Sequence, residues 1–242
     1  KHSNPRNLYM STLDQADIDV MKATKTCVSA QRFQYDYLND DITEDGQIDY
    51  SLTNKVPAEL RKAIAAGKKI LVLINPPYAE ASDKKTLSYK EGKGGVEQTF
   101  INKKYSHLLG QGNAELFAQF FIRINHELNN TILAEFSKLK ILQGQHFIDF
   151  RKNFKAELEK MFIVPAETFD NVKGKFPIGF MIWDSKHKNE FESIVADVFD
   201  QNGLFLQKKT ISSFEDENYM NEWVKPYRGK KEDPFIIGKF PF

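Results

Sequence analysis

Five consecutive apolar residues, Ile70-Leu71-Val72-Leu73-Ile74, run directly into Asn75-Pro76-Pro77-Tyr78. An unbroken aliphatic run of this length reads as a fully buried strand of a parallel sheet. Two prolines cannot extend such a strand, because each lacks the N–H that the ladder needs. The chain must leave the sheet at Asn75 in a stiff, extended turn. That turn holds an amide and an aromatic ring just beyond the carboxyl end of a central strand, the rim where open α/β sheets bind ligands.

The sequence upstream supports a sheet of this kind. "NLYMSTL" (7–13) reads as a short strand and "DQADIDVMKAT" (14–24) as a helix, with Asp14 near its start and Ile18, Met21 and Val20 facing inward. "RFQYDYL" (32–38) reads as a second strand, ending in the acids Asp36, Asp40 and Asp41, and Asp45-Gly46 signals a turn. "VPAELRKAIAAG" (56–67) is a helix with Pro57 in its first turn and Gly67 as its stop. Strand and helix alternate, which predicts an α/β fold with a parallel sheet.

Downstream, residues 83–112 carry six Lys against three acids, together with five Gly. The stretch is too long for an ordinary βα connection and reads as a functional loop or an insertion. Asn113 is placed to cap a helix over 114–130, with an apolar stripe of Leu116, Phe117, Phe120, Phe121, Ile124 and Leu128. A strand is expected over 131–142 and a helix over 146–160, with Phe147, Phe150, Phe154 and Leu158 inside. "MFIVPAETF" and "FPIGFMIWD" are strands joined by only six residues, too few for a parallel crossover, so they pair antiparallel. Asn202-Gly203, between "SIVADVFD" and "LFLQKKTIS", signals a hairpin.

Composition narrows the partners. A net charge of +1 offers no global polycation, so any phosphate-binding surface must be a local patch. The single cysteine, Cys27, excludes disulfides within the chain and Cys-rich zinc sites, and suits a reducing, cytoplasmic setting. The five His show no metal-ligand spacing, so no metal is expected. No apolar run is long enough to span a membrane.

At ordinary residue frequencies, a given tetrapeptide such as Asn-Pro-Pro-Tyr arises on the order of once in a thousand chains of this length. Asn75-Pro76-Pro77-Tyr78 resembles the catalytic motif of S-adenosylmethionine-dependent amino-methyltransferases that act on DNA adenine. The resemblance covers about residues 7–184. It implies a Rossmann-like α/β sheet, mostly parallel with an antiparallel C-terminal hairpin. It places Asp14 at the ribose hydroxyls of S-adenosylmethionine and Asp36 at its adenine amino group. By residue chemistry alone Asp14 is equally a helix-start acid favoured by the dipole, and Asp36 a turn acid. Asn75, Pro76, Pro77 and Tyr78 are then the catalytic residues, with Tyr78 stacking on the flipped base. Phe176, just before the last sheet strand, lies beside that base or packs in the core.

The resemblance breaks at one point. The family's Gly-rich cofactor loop belongs upstream of Asn7, where six residues hold no Gly. The sheet is therefore expected to be incomplete at its N-terminus, and the chain to be a piece of a longer bacterial, cytoplasmic protein. We read 1–215 as a partial catalytic domain carrying the insertion 83–112, and 216–242 as the start of a linker or target-recognition region. The expected partners are double-stranded DNA, the missing N-terminal segment, and a specificity or restriction subunit of a restriction–modification system. Lys84, Lys85, Lys90, Lys93, Lys103 and Lys104 are the candidate phosphate contacts. Alternatives are the same chemistry on an RNA guanine or a protein glutamine, and a non-catalytic subunit that keeps the fold. Alone, residues 1–242 are expected to bind S-adenosylmethionine weakly or not at all. A calorimetric titration showing micromolar affinity would contradict this.

Overall fold

A computed structural model describes residues 7–77, 99–169, 176–213 and 224–227. Strand β1 (Tyr9–Thr12) leads into helix α1 (Gln15–Ala23), which returns to β2 (Gln31–Gln34). The two strands pair in parallel, Tyr9 opposite Gln31 through Thr12 opposite Gln34. Strand β2 is shorter than the alternation over 32–38 predicts, because the chain turns at Tyr35 into a loop stapled by its own carboxylates. On α1, Ile18 is buried as expected, but Val20 points to solvent.

Helix α2 (Ala58–Ala65) starts after Pro57 and stops at Gly67, whose φ of +61° is the left-handed conformation that glycine adopts without strain. It delivers the chain to β3 (Ile70–Ile74), which pairs in parallel with β4 (Thr131–Lys138). The remaining strands are β5 (Glu157–Pro165), β6 (Pro177–Asp184), β7 (Ser193–Phe199) and β8 (Phe205–Ser212). One sheet has the order β3-β4-β6-β5-β7-β8, and β1-β2 forms a second sheet. The predicted antiparallel pairing of 161–169 with 176–184 is observed as β5 with β6. The Asn202-Gly203 hairpin joins β7 to β8, with Gly203 at φ +80°.

Three expectations are corrected. Strand β3 is not central or fully buried: it is the edge of the six-stranded sheet, and Leu71 and Leu73 are 72% and 71% exposed. Only Ile70, Val72 and Ile74 pack on the core. The helix expected over 146–160 ends at Asn153 (α6, Ile148–Asn153). Residues 157–160 join β5 instead, because pairing with Asp184, Trp183 and Ile182 of β6 outweighs their helical propensity. The lysine-rich stretch 83–112 is not all loop: Phe100–Leu109 is helix α3, capped by Thr99, whose hydroxyl accepts from the Asn102 N–H.

Helix α4 (Leu116–Glu127) begins at Glu115 rather than at Asn113, which lies in a short 3-10 turn. Its stripe is the centre of the core. Phe117 and Phe121 pack with Phe147, Phe150 and Phe154 against Met181 and Trp183 of the sheet. A short helix α5 (Lys140–Gln143) follows β4. A smaller cluster on the opposite sheet face joins Val164, Ala166 and Ile178 to Phe136, Phe162, Phe169, Phe176 and Phe199. Most of residues 216–242 lies outside the description.

Because Phe121 is fully buried and Leu73 is not, the two should respond oppositely to truncation. Phe121→Ala is expected to lose about 3–5 kcal/mol, and Leu73→Thr less than about 0.5 kcal/mol. Urea midpoints of the two variants check this.

Candidate functional site

The rim of the sheet is defined by strand direction. Strands β3 and β4 run in parallel; β6 is antiparallel to both β4 and β5, and β5 is parallel to β7. The carboxyl ends of β3, β4, β5 and β7 therefore share one edge with the start of β6. Asn75, Pro76 and Pro77 leave that edge directly after Ile74, the last paired residue of β3. Asn75 and Pro77 are exposed, while Pro76 is buried and anchors the turn. The amide thus stands at an open rim on a backbone whose torsions proline fixes. Tyr78 lies outside the described residues.

Asp14 and Asp36 each follow the end of one of the two paired strands. The β1–β2 register ends with Thr12 opposite Gln34, so both acids sit two residues past the last pair, level with each other on neighbouring strands. Asp14 occupies the N-cap position of α1, yet its side chain makes no capping hydrogen bond, and the residue is exposed. Asp36 is half-buried. Its carboxylate accepts from the Leu38 N–H at 3.0 Å and from Asn39 Nδ2 at 2.8 Å. The loop is tied further by Asp40, which accepts from the Asp36 N–H at 2.9 Å and pairs with Lys55 at 2.7 Å.

The lysines divide. Lys84, Lys85, Lys90 and Lys93 lie outside the described residues. Lys103 is exposed on α3, 5.3 Å from the centroid of the Phe100 ring. Lys104 does not stand free for phosphate: it is 3.9 Å from the Glu127 carboxylate, lies over the Tyr105 ring at 5.0 Å, and its side chain is only 20% exposed. Phe176 sits on the same rim as Asn75, two strands across, roughly 10 Å at ordinary strand spacing. It is half-buried in the smaller cluster, with Lys138 Nζ 5.6 Å from its ring centroid. Packing is thus part of its role.

Two charged residues escaped the sequence reading. Arg123 of α4 has no solvent exposure and reaches across to the Asp36 loop. Its signal was present: it lies seven residues after Leu116 and three after Phe120, on the apolar stripe itself. Glu135 of β4 pairs in register with Ile74, immediately before the Asn75 turn. It is fully buried, and one oxygen accepts from Trp183 Nε1 at 3.2 Å. Burial pushes its carboxyl up to about 8, outweighing the Trp183 N–H and the Ser137 hydroxyl. A lone Glu inside "TILAEFS" was its only trace in the sequence.

Among the described residues no group of three or more His, Cys, Asp or Glu can hold a metal ion, and no helix is long and apolar enough to cross a membrane. Carboxylates accept hydrogen bonds, so Asp14 and Asp36, beyond the ends of β1 and β2, suit the hydroxyls and amino group of a nucleoside, the chemistry of the adenosyl half of S-adenosylmethionine.

No protein-family model matches the chain, and no curated protein matches it. Among solved structures it is similar to a nuclease-deletion mutant of the Type ISP restriction-modification enzyme LlaGI in complex with a DNA substrate mimic. There the TM-score is 0.52 at 13% identity, covering 88% of this chain and 25% of that one. It is also similar to a modification subunit of a putative type I restriction enzyme from Vibrio vulnificus YJ016, with TM-score 0.49 at 8% identity over 81% of this chain and 37% of that one. The likeness is one of fold, and it rests on the first of the two. The chain spans well under half the length of each.

Glu135 makes stability depend on pH. Below the carboxyl's ordinary value of 4.5, folded and unfolded states both hold the proton. Between 4.5 and about 8 the unfolded chain ionises while the folded one does not, so stability falls as pH rises through that window. Glu135→Gln removes this dependence. Its gain in melting temperature over the wild type is expected to widen from pH 5 to pH 8; a gain independent of pH would refute the assignment.

Proposed function

We propose that the protein transfers a methyl group from S-adenosylmethionine to the exocyclic N6 of an adenine in double-stranded DNA, as the catalytic portion of a restriction–modification enzyme. The observation that carries this reading is an exposed Asn75 on the Pro76-Pro77 turn at the rim of a parallel ladder. The LlaGI neighbour, whose complex holds a DNA substrate mimic, supports it at the level of fold.

The lone pair of adenine N6 is delocalised into the ring, so the nitrogen is a poor nucleophile. The side-chain oxygen of Asn75 and the carbonyl of Pro76 each accept one of its two hydrogens. Two acceptors held off the ring plane draw the nitrogen towards tetrahedral geometry and return the lone pair to it; the transfer would leave a neutral thioether, and the proton that N6 sheds would pass by way of these acceptors to water. The proline rings keep both acceptors in place before the base arrives, so catalysis is orientation and electrostatics, with no covalent nucleophile. Tyr78 stacks on the base, which must leave the duplex to reach the rim. Asp14 holds the ribose hydroxyls of the cofactor and Asp36 its adenine amino group; the bound cofactor supplies an electrophilic sulfonium methyl.

Lys84, Lys85, Lys90, Lys93 and Lys103 supply phosphate contacts that position the duplex without reading it. A specificity or restriction subunit completes the assembly in the bacterial cytoplasm.

The test gives the full-length protein methyl-labelled S-adenosylmethionine with DNA, RNA and protein substrates. Label is expected in DNA adenine, with Asn75→Ala reducing the rate at least about 100-fold. Label in RNA guanine or protein glutamine would transfer the reading to those substrates, and no label anywhere would leave a non-catalytic subunit.

A further inference from the structure

We propose that Arg123 is a positioning residue for cofactor binding, which from helix α4 fixes the loop that carries Asp36. The proposal rests on the reading of Asp36 as a cofactor contact.

Strand β2 cannot hold that loop by itself. Its ladder to β1 ends at Gln34; past that pair the Tyr35 N–H donates to the Thr12 carbonyl at 2.9 Å and Gln34 Nε2 to the Leu13 carbonyl at 2.8 Å, and neither bond reaches Asp36. The grip comes from the helical side. Arg123 Nη1 donates to the Tyr37 carbonyl; Nη2 donates to the Tyr35 hydroxyl at 3.2 Å and to the Asp40 carbonyl at 3.4 Å. Asp36 lies between the two tyrosines, so the chain is held on both sides of it. The guanidinium also lies 4.4 Å from the Tyr37 ring centroid, and Phe120, one turn back on the same helix, stacks on that ring at 5.6 Å.

The charge is matched on its own helix. Arg123 Nε donates to Glu127 at 2.9 Å, and the other Glu127 oxygen accepts from the Tyr105 hydroxyl at 3.1 Å. From the far side of the loop, Asn39 donates to Asp36 and accepts from the Phe100 N–H at 3.0 Å, so α3 braces the same acid.

Stability alone does not call for this arrangement. An apolar side chain would fill the same stripe of α4 without the desolvation cost of a buried ion pair. What the guanidinium adds is direction: a planar fork of N–H donors reaching acceptors on residues 35, 37 and 40 at once. A lysine keeps the charge opposite Glu127 but cannot reproduce the fork.

A double-mutant cycle in the full-length protein tests this, read as the dissociation constant of S-adenosylmethionine by calorimetry. Asp36→Ala is expected to weaken binding about tenfold or more, the scale of a hydrogen bond to a charged group. Arg123→Lys should weaken it by a similar factor alone, yet by less than about twofold when Asp36 is already Ala. A purely structural role would give the same factor in both backgrounds, and that additive result overturns the proposal while leaving Asp36 as a contact. An unchanged constant for Asp36→Ala overturns the cofactor reading and the proposal with it. Should Arg123→Lys lack a cooperative thermal transition, Tyr35→Phe takes its place in the same cycle, with an expected two- to fivefold effect confined to the Asp36 background.

Discussion

A guanidinium cut off from solvent joins the two halves of this fold. Among the described residues the β1–β2 sheet shares no ladder with the six-stranded sheet, so side chains, together with the Ile101 N–H bonded to the Leu38 carbonyl at 3.2 Å, fix its place. Arg123 provides the most directional of these, and Tyr35, Leu38 and Ile42 bury apolar surface around it. Breaking such a pair from one side leaves a buried charge with no partner, which is far more costly than never having had the pair. The acid-bearing loop and the aromatic core are thereby coupled: α4 is at once the centre of the hydrophobic cluster and the strut behind Asp36.

The rim achieves rigidity by other means. Pro76 and Pro77 offer no N–H to continue the β3 ladder, so fixed proline torsions take over where the paired register ends at Ile74. Proline torsions fix the backbone that follows exposed Asn75, while buried Pro76 keeps the turn seated. On the neighbouring sheet, parallel register does equivalent work by bringing Asp14 and Asp36 level. Both devices fix polar groups before any ligand is present, which limits the ordering cost of binding.

How much of this the sequence disclosed follows from the range of each interaction. Features governed by a few neighbouring residues were legible: the Gly67 stop, the Asn202-Gly203 hairpin, the short link that forces β5 and β6 antiparallel, and the strand-end acids. Features set by distant partners were not. An aliphatic run such as 70–74 reads the same in the middle of a sheet as at its margin, since only the presence of a neighbour on the far side distinguishes them. The helical look of 155–160 yielded to a strand partner more than twenty residues downstream. Lys104 looked available for phosphate because Glu127, its partner, sits on another helix. Arg123 was visible as a charge in the wrong phase of an apolar stripe, but nothing local said what it would grip.

The bare margin of β3 has a consequence for any work with this chain in isolation. Among the described residues no strand pairs with its outer side, Leu71 and Leu73 are exposed, and no lysine, proline or bulge interrupts the strand to discourage a second copy from docking. Concentrated solutions would favour edge-to-edge pairing of chains through this strand.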